Sequence, residues 1–290
     1  MESYTQDELL KYKNLQKLAY DCLTKISSEL VEGVTEKEIA DKINAELALN
    51  SVDSFFHRGF AWFGDRTCFK GFQQPFQLGN VNINEIIPHF GFDFQPSDRK
   101  LEKGMAVILD VAPSIDQGLA VDVGYSCVFG SNSEMINAIY DLEVFRKLIL
   151  EMVLAEKPLS EIYLNVNKVT SEMGYYNCHA IYPQGVLGHK IGKLPFSQFS
   201  KFYLMGFELQ TYAYLFNHLF DRMVNPSQNR SPFWNEENNF RAEVGLWAVE
   251  PHIGKGEVGA KWEEILVVTE NNAYWLDDNL PHVNIWKNKA

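Results

Sequence analysis

Five acidic side chains stand inside apolar stretches of the sequence, where a buried charge is costly. They are Asp110, Asp122, Glu250 and the adjacent pair Glu263 and Glu264. An ionised carboxylate in a protein interior costs several kcal/mol unless a cation or a metal ion accompanies it. Any one of them could be a strand-end charge or half of a buried ion pair. Their occurrence in four predicted strands favours a shared divalent metal site. Metal-free glycoside hydrolysis by paired carboxylates is the alternative.

Histidine supplies the next possible ligand. His189 stands in the segment GVLGHKIG, where glycines on both sides let the backbone pass close to a site. His89, in IIPHFGF, has the context of a loop or a strand end. Four other histidines lack such framing and are predicted to be surface or packing residues: His57, His179, His218 and His282.

The elements that must position these side chains follow from apolar periodicity and capping signals. Helices are predicted over 6–31, from Thr35 onward, over 134–155 and over 159–173. Strands are predicted over 105–111, 119–129, 245–253, 262–269 and 273–276. A turn at residues 116–118 would pair the first two strands, so that Asp110 and Asp122 face the same side of the sheet. The order of elements predicts one α+β domain over residues 1–290, without an internal linker.

An aromatic-rich insertion is predicted at about 193–242. It contains 12 aromatic side chains in 50 positions, whereas aromatic residues make up 13% of the whole chain. Two interpretations remain open. The segment could form an extra packed layer or a subunit interface, or it could be a wall that shapes an apolar substrate pocket.

Composition excludes several classes of partner. The 290 residues carry 26 basic and 38 acidic side chains, a net charge of −12, which argues against nucleic acid or an anionic membrane as a partner. The four cysteines have no CxxC spacing, which excludes the usual cysteine zinc sites and a disulfide scaffold. The charged first residues do not read as a signal peptide, and no apolar run is long enough to span a membrane. We therefore expect a cytoplasmic protein.

Taken together, the motifs resemble the pita-bread-fold metallopeptidases, the group of methionine aminopeptidase, aminopeptidase P, prolidase and creatinase. The segments ILDV…AVDVGYS, LGHKIG, VEPHI and AKWEEILVVTENN stand in the family's order Asp, Asp, His, Glu, Glu. The resemblance covers roughly residues 10–280. It implies the pita-bread fold, in which a curved antiparallel sheet carries helices on its outer face.

The resemblance also implies a set of site residues. The ligands of two adjacent divalent ions (Mn, Fe, Co or Zn) would be Asp110, Asp122, His189, Glu250 and Glu263. Glu263 is preferred over Glu264 because it takes the glutamate position of the last motif. The implied reaction is amide hydrolysis by a hydroxide that bridges both ions, with Glu250 as general base and then acid. His89 matches the family histidine that stabilises the transition state.

The departures from the family pattern concern the substrate side of the site. Peptidases of the family carry a second histidine shortly after the ligand histidine, where this chain has Phe196, and Lys190 replaces a small residue. His252 lies two residues after the glutamate of VEPHI, and in a regular strand it would face the cleft and partly replace that histidine. A histidine at a strand end is the alternative. Lys261 could reach the site by the same alternation.

The backbone near the predicted ligands also departs from the family pattern. The turn before Asp122 is one residue longer than usual, which predicts a bulge there. A tight hairpin is expected between the two glutamate motifs.

The leading interpretation is a metal-dependent amide hydrolase, an aminopeptidase or an Xaa-Pro peptidase, acting on a peptide or a small amide. A small-molecule C–N hydrolase or another metal enzyme on the same fold is the first alternative, favoured by the missing histidine and the aromatic insertion. A binding protein that has lost catalysis is the second, and the presence of all five ligands argues against it. A homodimer is also expected, because the aromatic side chains need burial.

Overall fold

The computed structural model describes residues 4–52, 54–72, 92–115, 118–194, 202–224 and 231–288. Two predicted site residues, His89 and Phe196, lie outside these ranges, and so do the first two residues of the predicted turn at 116–118. None of the helices in the described ranges combines the length and the apolar character that crossing a membrane requires. All four cysteines are free thiols, as their spacing predicts.

The described residues form seven α-helices. They are α1 (Gln6–Ser28), α2 (Glu36–Leu49), α3 (Ser133–Asp141), α4 (Glu143–Leu154), α5 (Leu159–Glu172), α6 (Leu209–Val224) and α7 (Pro281–Lys287). The capping boxes predicted at Thr5 and Thr35 are both formed. The helix predicted over 134–155 is divided at Leu142. The indole of Trp262 donates a hydrogen bond of 3.2 Å to the Leu142 carbonyl, and a side chain inserted into the helical ladder explains the break.

Fourteen strands are formed within the same ranges. They are β1 (Ser54–Phe63), β2 (Ala106–Ile115), β3 (Leu119–Ala120), β4 (Val123–Val128), β5 (Tyr176–Asn177), β6 (Gly188–Ile191), β7 (Tyr203–Leu204), β8 (Phe207–Glu208), β9 (Phe233–Trp234), β10 (Gly245–Val249), β11 (His252–Lys255), β12 (Val258–Lys261), β13 (Glu264–Val268) and β14 (Ala273–Trp275). Every pairing between named strands is antiparallel. The predicted α+β class is therefore confirmed.

The strands assemble into three sheets. The first runs β3-β2-β1-β8-β7, with β4 on the other half of β2, and the second runs β14-β13-β10-β6-β9. A small third sheet contains β12, β11 and β5. Helices α1 and α2 pack against β1 and β2, and α3 packs against β4 and β12. The main hydrophobic core joins these helices to both large sheets.

Two predicted strands are interrupted where the candidate ligands stand. The strand predicted over 119–129 breaks at Val121 and Asp122, between β3 and β4, where a bulge was expected. The strand predicted over 245–253 breaks after Val249, because Pro251 has no N–H to continue the ladder. The tight hairpin expected between the glutamate motifs is formed by β11 and β12, and it turns at Gly256 with φ of +60°.

Candidate metal centre

The five side chains that the sequence predicts as metal ligands line one cavity. They are Asp110, Asp122, His189, Glu250 and Glu263, and their exposed fractions lie between 1% and 8%. Backbone pairing brings these distant segments together. Gly124 and Glu263 exchange two backbone hydrogen bonds of 3.4 and 3.2 Å, which dock the start of β13 beside the aspartate hairpin. His189 pairs with Ala248, so it lies beside the strand that leads to Glu250.

His57 is a sixth member of the group, which corrects the expectation that it is a surface or packing residue. It lies on β1, and its Nε2 is 3.0 Å from Asp122 Oδ1 and 3.4 Å from Asp110 Oδ1. Burial lowers the pKa of His57, but these two carboxylates oppose that effect and raise it to about 9. The signal that would have identified it is a histidine within the aromatic-rich segment SFFHRGFAWF.

Both histidines present Nε2 to the carboxylates. Nδ1 of His57 lies 2.8 Å from the carbonyl oxygen of Arg58. Nδ1 of His189 lies 3.0 Å from the carbonyl oxygen of Lys190. Because a carbonyl oxygen only accepts, each Nδ1 carries a proton, and the neutral ring has a free lone pair on Nε2. These Nε2 atoms face the two oxygens of Asp122 at 3.0 and 3.3 Å, an arrangement that needs a proton or a metal ion between nitrogen and oxygen.

Lys261 places a positive charge inside the cluster, as the strand alternation predicted. Its Nζ donates to Asp110 Oδ2 over 2.5 Å. It also donates to Glu250 Oε2 and to Glu263 Oε2, each over 2.9 Å. Burial lowers the pKa of this ammonium, but the three carboxylates raise it well above its usual value. Lys261 is 1% exposed and is not part of the cavity wall, so the cation lies beneath the cavity.

Three carboxylates of this cluster share one ammonium, that of Lys261, and the fourth carboxylate, Asp122, lies between the imidazole rings of His57 and His189. Burial raises the pKa of Glu263 well above its usual value, and the charges of Asp122 and Glu250 raise it further. Burial also raises the pKa of Glu250, although Lys261 opposes the effect. Burial would raise the pKa of Asp122 too, but His57 and His189 hold it below its usual value. The cluster therefore favours an additional cation.

The donor atoms fit a divalent metal ion. Asp110 Oδ1 and Glu263 Oε1 are buried and have no hydrogen-bond partner. Two groups of three residues each offer one donor atom per residue, and the three donor atoms of a group lie within 4.8 Å of one another. The groups are His57 with Asp110 and Asp122, and Asp122 with His189 and Glu263. Imidazole nitrogen with carboxylate oxygen suits Zn, Mn, Fe or Co. Asp122 belongs to both groups, so it is the central donor.

His252 does not lie on the cavity wall, which corrects the expectation that it faces the cleft. Its Nε2 is 2.7 Å from the Thr67 carbonyl oxygen, and its Nδ1 is 3.1 Å from the Tyr182 hydroxyl. The prediction assumed one regular strand, whereas the chain breaks at Pro251 and His252 begins a new strand that pairs with Lys261. Both ring nitrogens therefore contact groups inside the protein and not the cleft.

The cavity above the cluster has a volume of about 470 Å³ and apolar walls. Of the two interpretations of the aromatic segment, the pocket wall is supported by the residues that it contributes: Leu204, Met205, Phe207, Thr211, Tyr212, Leu215, Phe216 and Phe233. Phe56, Phe60 and Trp62 add aromatic rings from β1. In the described part of the chain, neither lysine nor arginine lines the cavity. The walls therefore suit an apolar, uncharged group.

Residues 11–270 match the family model of metallopeptidase family M24. The chain belongs to this family. The match covers every residue of the candidate metal centre, from His57 to Glu263. The M24 chain is thus a member of a family of metal-dependent peptidases, as the sequence motifs predicted. No curated protein matches the sequence.

Solved structures confirm the pita-bread fold. A prolidase from Thermococcus sibiricus is 16% identical with a TM-score of 0.61, and the match covers 95% of this M24 chain and 60% of the prolidase. An X-Pro aminopeptidase from Thermotoga maritima is 16% identical with a TM-score of 0.63, covering 94% and 61%. A methionine aminopeptidase from Rickettsia prowazekii is 15% identical with a TM-score of 0.60, covering 95% and 99%. The chain thus spans about three fifths of the prolidase, and at these identities the likeness shows the fold alone.

Proposed function

We propose that this chain hydrolyses an amide bond next to a bulky apolar group, with the aid of a bound divalent metal ion. The observation that carries the proposal is the convergence of unpartnered carboxylate oxygens and two imidazole nitrogens at one side of an apolar cavity. Membership of family M24 supports a peptide or a related amide as the substrate. An aminopeptidase or an Xaa-Pro peptidase is the reaction type that we propose.

The protein's own donors would hold the metal. Asp122 and the two Nε2 atoms face one another, and the free oxygens of Asp110 and Glu263 are available beside them. A bound ion of this kind polarises a carbonyl group and lowers the pKa of water to about 7. The family resemblance implies two such ions.

Glu250 is the residue that we assign to proton transfer. It lines the cavity, and Lys261 fixes one of its carboxylate oxygens at 2.9 Å. Because burial raises its pKa, Glu250 takes up a proton more readily near neutral pH than an exposed glutamate does. It could accept a proton from the attacking water and deliver it to the leaving nitrogen. The role of His89 in stabilising the transition state remains a prediction from the motif.

A small non-peptide amide is the second candidate substrate, and one observation favours it. A dipeptide carries a carboxylate close to the scissile bond, and the described cavity wall offers no lysine or arginine to pair with it. An apolar acyl or amine group would instead bury its surface against the aromatic rings. The predicted homodimer and the cytoplasmic location both remain predictions.

A substrate panel on metal-loaded protein tests the proposal. The panel contains Met-Xaa dipeptides, together with Xaa-Pro dipeptides, longer peptides and unsubstituted aminoacyl amides, the last three in matched versions with an apolar or a charged residue before the scissile bond. We expect cleavage of apolar members and none of their charged counterparts, and no cleavage by Asp110→Ala. Protein that retains no divalent metal after reconstitution would exclude the proposal. Cleavage of amides but of no peptide would select the second candidate.

A further inference from the structure

One hydroxyl group holds the backbone of Lys261 through two hydrogen bonds. Ser126 Oγ donates a hydrogen bond of 2.7 Å to the Lys261 carbonyl oxygen, and the Lys261 N–H donates one of 2.9 Å to the same Oγ. Strand pairing with His252 fixes the residue from the other side. The side chain therefore leaves β12 in a defined direction, toward the carboxylates.

The space that the side chain crosses is kept open by Gly124. A Cβ at this position would lie 2.5 Å from Lys261 Cε and 3.2 Å from both Lys261 Nζ and Glu263 Cβ, so the lysine side chain would have to shift. Gly124 does not adopt the left-handed backbone conformation that favours glycine, so close packing by Lys261 and Glu263 is what favours the missing side chain. The ring of Tyr182 lies 5.1 Å from Nζ and adds a favourable cation–π contact. The position is thus built for a buried lysine.

The ammonium occupies oxygens that a second metal ion would need. It binds one oxygen each of Asp110, Glu250 and Glu263. A divalent ion at ordinary coordination distance from these three oxygens, about 2.0–2.2 Å, would coincide with Nζ. Of the four carboxylates, Asp122 is the one whose two oxygens are both clear of Lys261, and it is the donor that both three-residue groups share.

We propose that Lys261 takes the place of one of the two metal ions, so that this protein binds a single divalent ion beside a built-in ammonium. The ion is held at Asp122 by one of the two donor groups, either His57 with the free oxygen of Asp110 or His189 with the free oxygen of Glu263. The fixed positive charge of Lys261 repels a second ion and keeps three carboxylates in position without one. This inference rests on the proposed metal-dependent function.

Metal stoichiometry tests the inference independently of activity. The full chain is reconstituted with Mn²⁺, freed of loose metal by gel filtration, and examined by elemental analysis and electron paramagnetic resonance. For the wild type we expect one equivalent and the six-line spectrum of an isolated ion. Lys261→Met removes the charge, and we expect two equivalents with the broadened spectrum of an exchange-coupled pair. Lys190→Met, a lysine on β6 paired with Glu243, is the matched control and should keep one equivalent.

The outcomes separate this inference from the proposed function. Two coupled ions in the wild type would overturn the inference and leave metal-dependent hydrolysis standing, whereas no bound ion would overturn the proposed function. One equivalent in both the wild type and Lys261→Met would show that the lysine does not limit binding, which also overturns the inference. If Lys261→Met fails to fold, Lys261→Gln gives a second test, because it removes the charge and keeps a hydrogen-bond donor for the carboxylates. We expect Lys261→Gln to bind the second ion, and one equivalent in this variant would overturn the inference.

Discussion

Two adjacent glutamates, Glu263 and Glu264, are equally buried, but their carboxylates differ in how they are paired with positive charge. Both carboxylates are almost fully inaccessible, at 1% and 0% exposure, and strand alternation sends them to different sides. Glu264 receives two hydrogen bonds from Arg146, of 2.7 and 3.1 Å, and a third contact of 3.1 Å from His282. Glu263 shares the single ammonium of Lys261 with two other carboxylates, and its Oε1 has no hydrogen-bond partner.

The difference shows that a buried charge does not by itself identify a functional site. The region around Glu264 balances its charge within the protein, and the guanidinium and carboxylate meet through two parallel hydrogen bonds, which is the stable form of such a pair. The region around Glu263 lacks such one-to-one pairing, since three carboxylates share one ammonium and Glu263 Oε1 has no hydrogen-bond partner. Charge pairing and the unpartnered oxygens, rather than burial, distinguish the proposed metal centre from a structural ion pair.

The largest effect is expected from Asp122→Asn, because Asp122 belongs to both donor groups. We predict that the variant retains almost no metal after reconstitution and loses activity by about 10³-fold or more. Elemental analysis and turnover of the best substrate measure the two effects. Glu264→Gln is the matched control and should keep its metal. Full metal content in Asp122→Asn would contradict the comparison.

Removal of the structural carboxylate should affect stability instead of metal binding. Glu264→Ala leaves the largely buried Arg146 without its main partner, and we expect a loss of about 3 kcal/mol in the free energy of unfolding. Urea denaturation measures the loss, and the metal content should not change. The double variant Arg146→Met/Glu264→Leu should recover much of the stability, because no unpaired charge remains. A loss below about 1 kcal/mol would show that this pair is not structural.

Chelation of the metal should destabilise the wild-type fold by an intermediate amount. A ligand present at 100 times its dissociation constant stabilises the folded state by about 2.7 kcal/mol. We therefore expect EDTA to lower the midpoint of thermal unfolding in the wild type and to have no effect on Asp122→Asn. Glu264→Gln should respond to EDTA as the wild type does. An equal shift in Asp122→Asn would mean that the metal binds elsewhere.

The smallest effect is expected at Lys190, the residue that replaces the family's small residue next to the ligand histidine. Its Nζ pairs with Glu243 at 2.5 Å and lies 5.7 Å from the Trp247 ring centroid. Lys190→Ala should cost about 1–2 kcal/mol, because the Glu243 carboxylate that loses its partner is 25% exposed and can be hydrated, and the metal content should stay unchanged. Urea denaturation measures the change in stability, and elemental analysis measures the metal content. A loss of metal would place Lys190 in the site, against its observed contacts.

Sequence patterns predicted the parts of this protein that depend on local rules. Capping boxes predicted the starts of α1 and α2. Apolar runs predicted half of the strands, β2, β3, β4, β10, β11, β13 and β14, and did not predict β1, β12 or the short strands β5 to β9. The prediction failed where packing between distant segments decides. Trp262 divides the helix at Leu142 from 120 residues away. The strand break at Pro251 directs the ring of His252 toward Thr67, although an uninterrupted strand would have sent it to the cleft.

The sequence by itself determined which chemical groups are available: the carboxylates and histidine stand in motifs whose residue types and order are read directly from the chain. Only the tertiary structure decided which of these charged groups lie next to one another. It brought His57 to Asp122 through an irregular register in β1, and it opened the path of Lys261 beside Gly124. The physical reason is that alternation along a strand sets the side on which a residue lies, whereas the pairing between strands sets which charges meet.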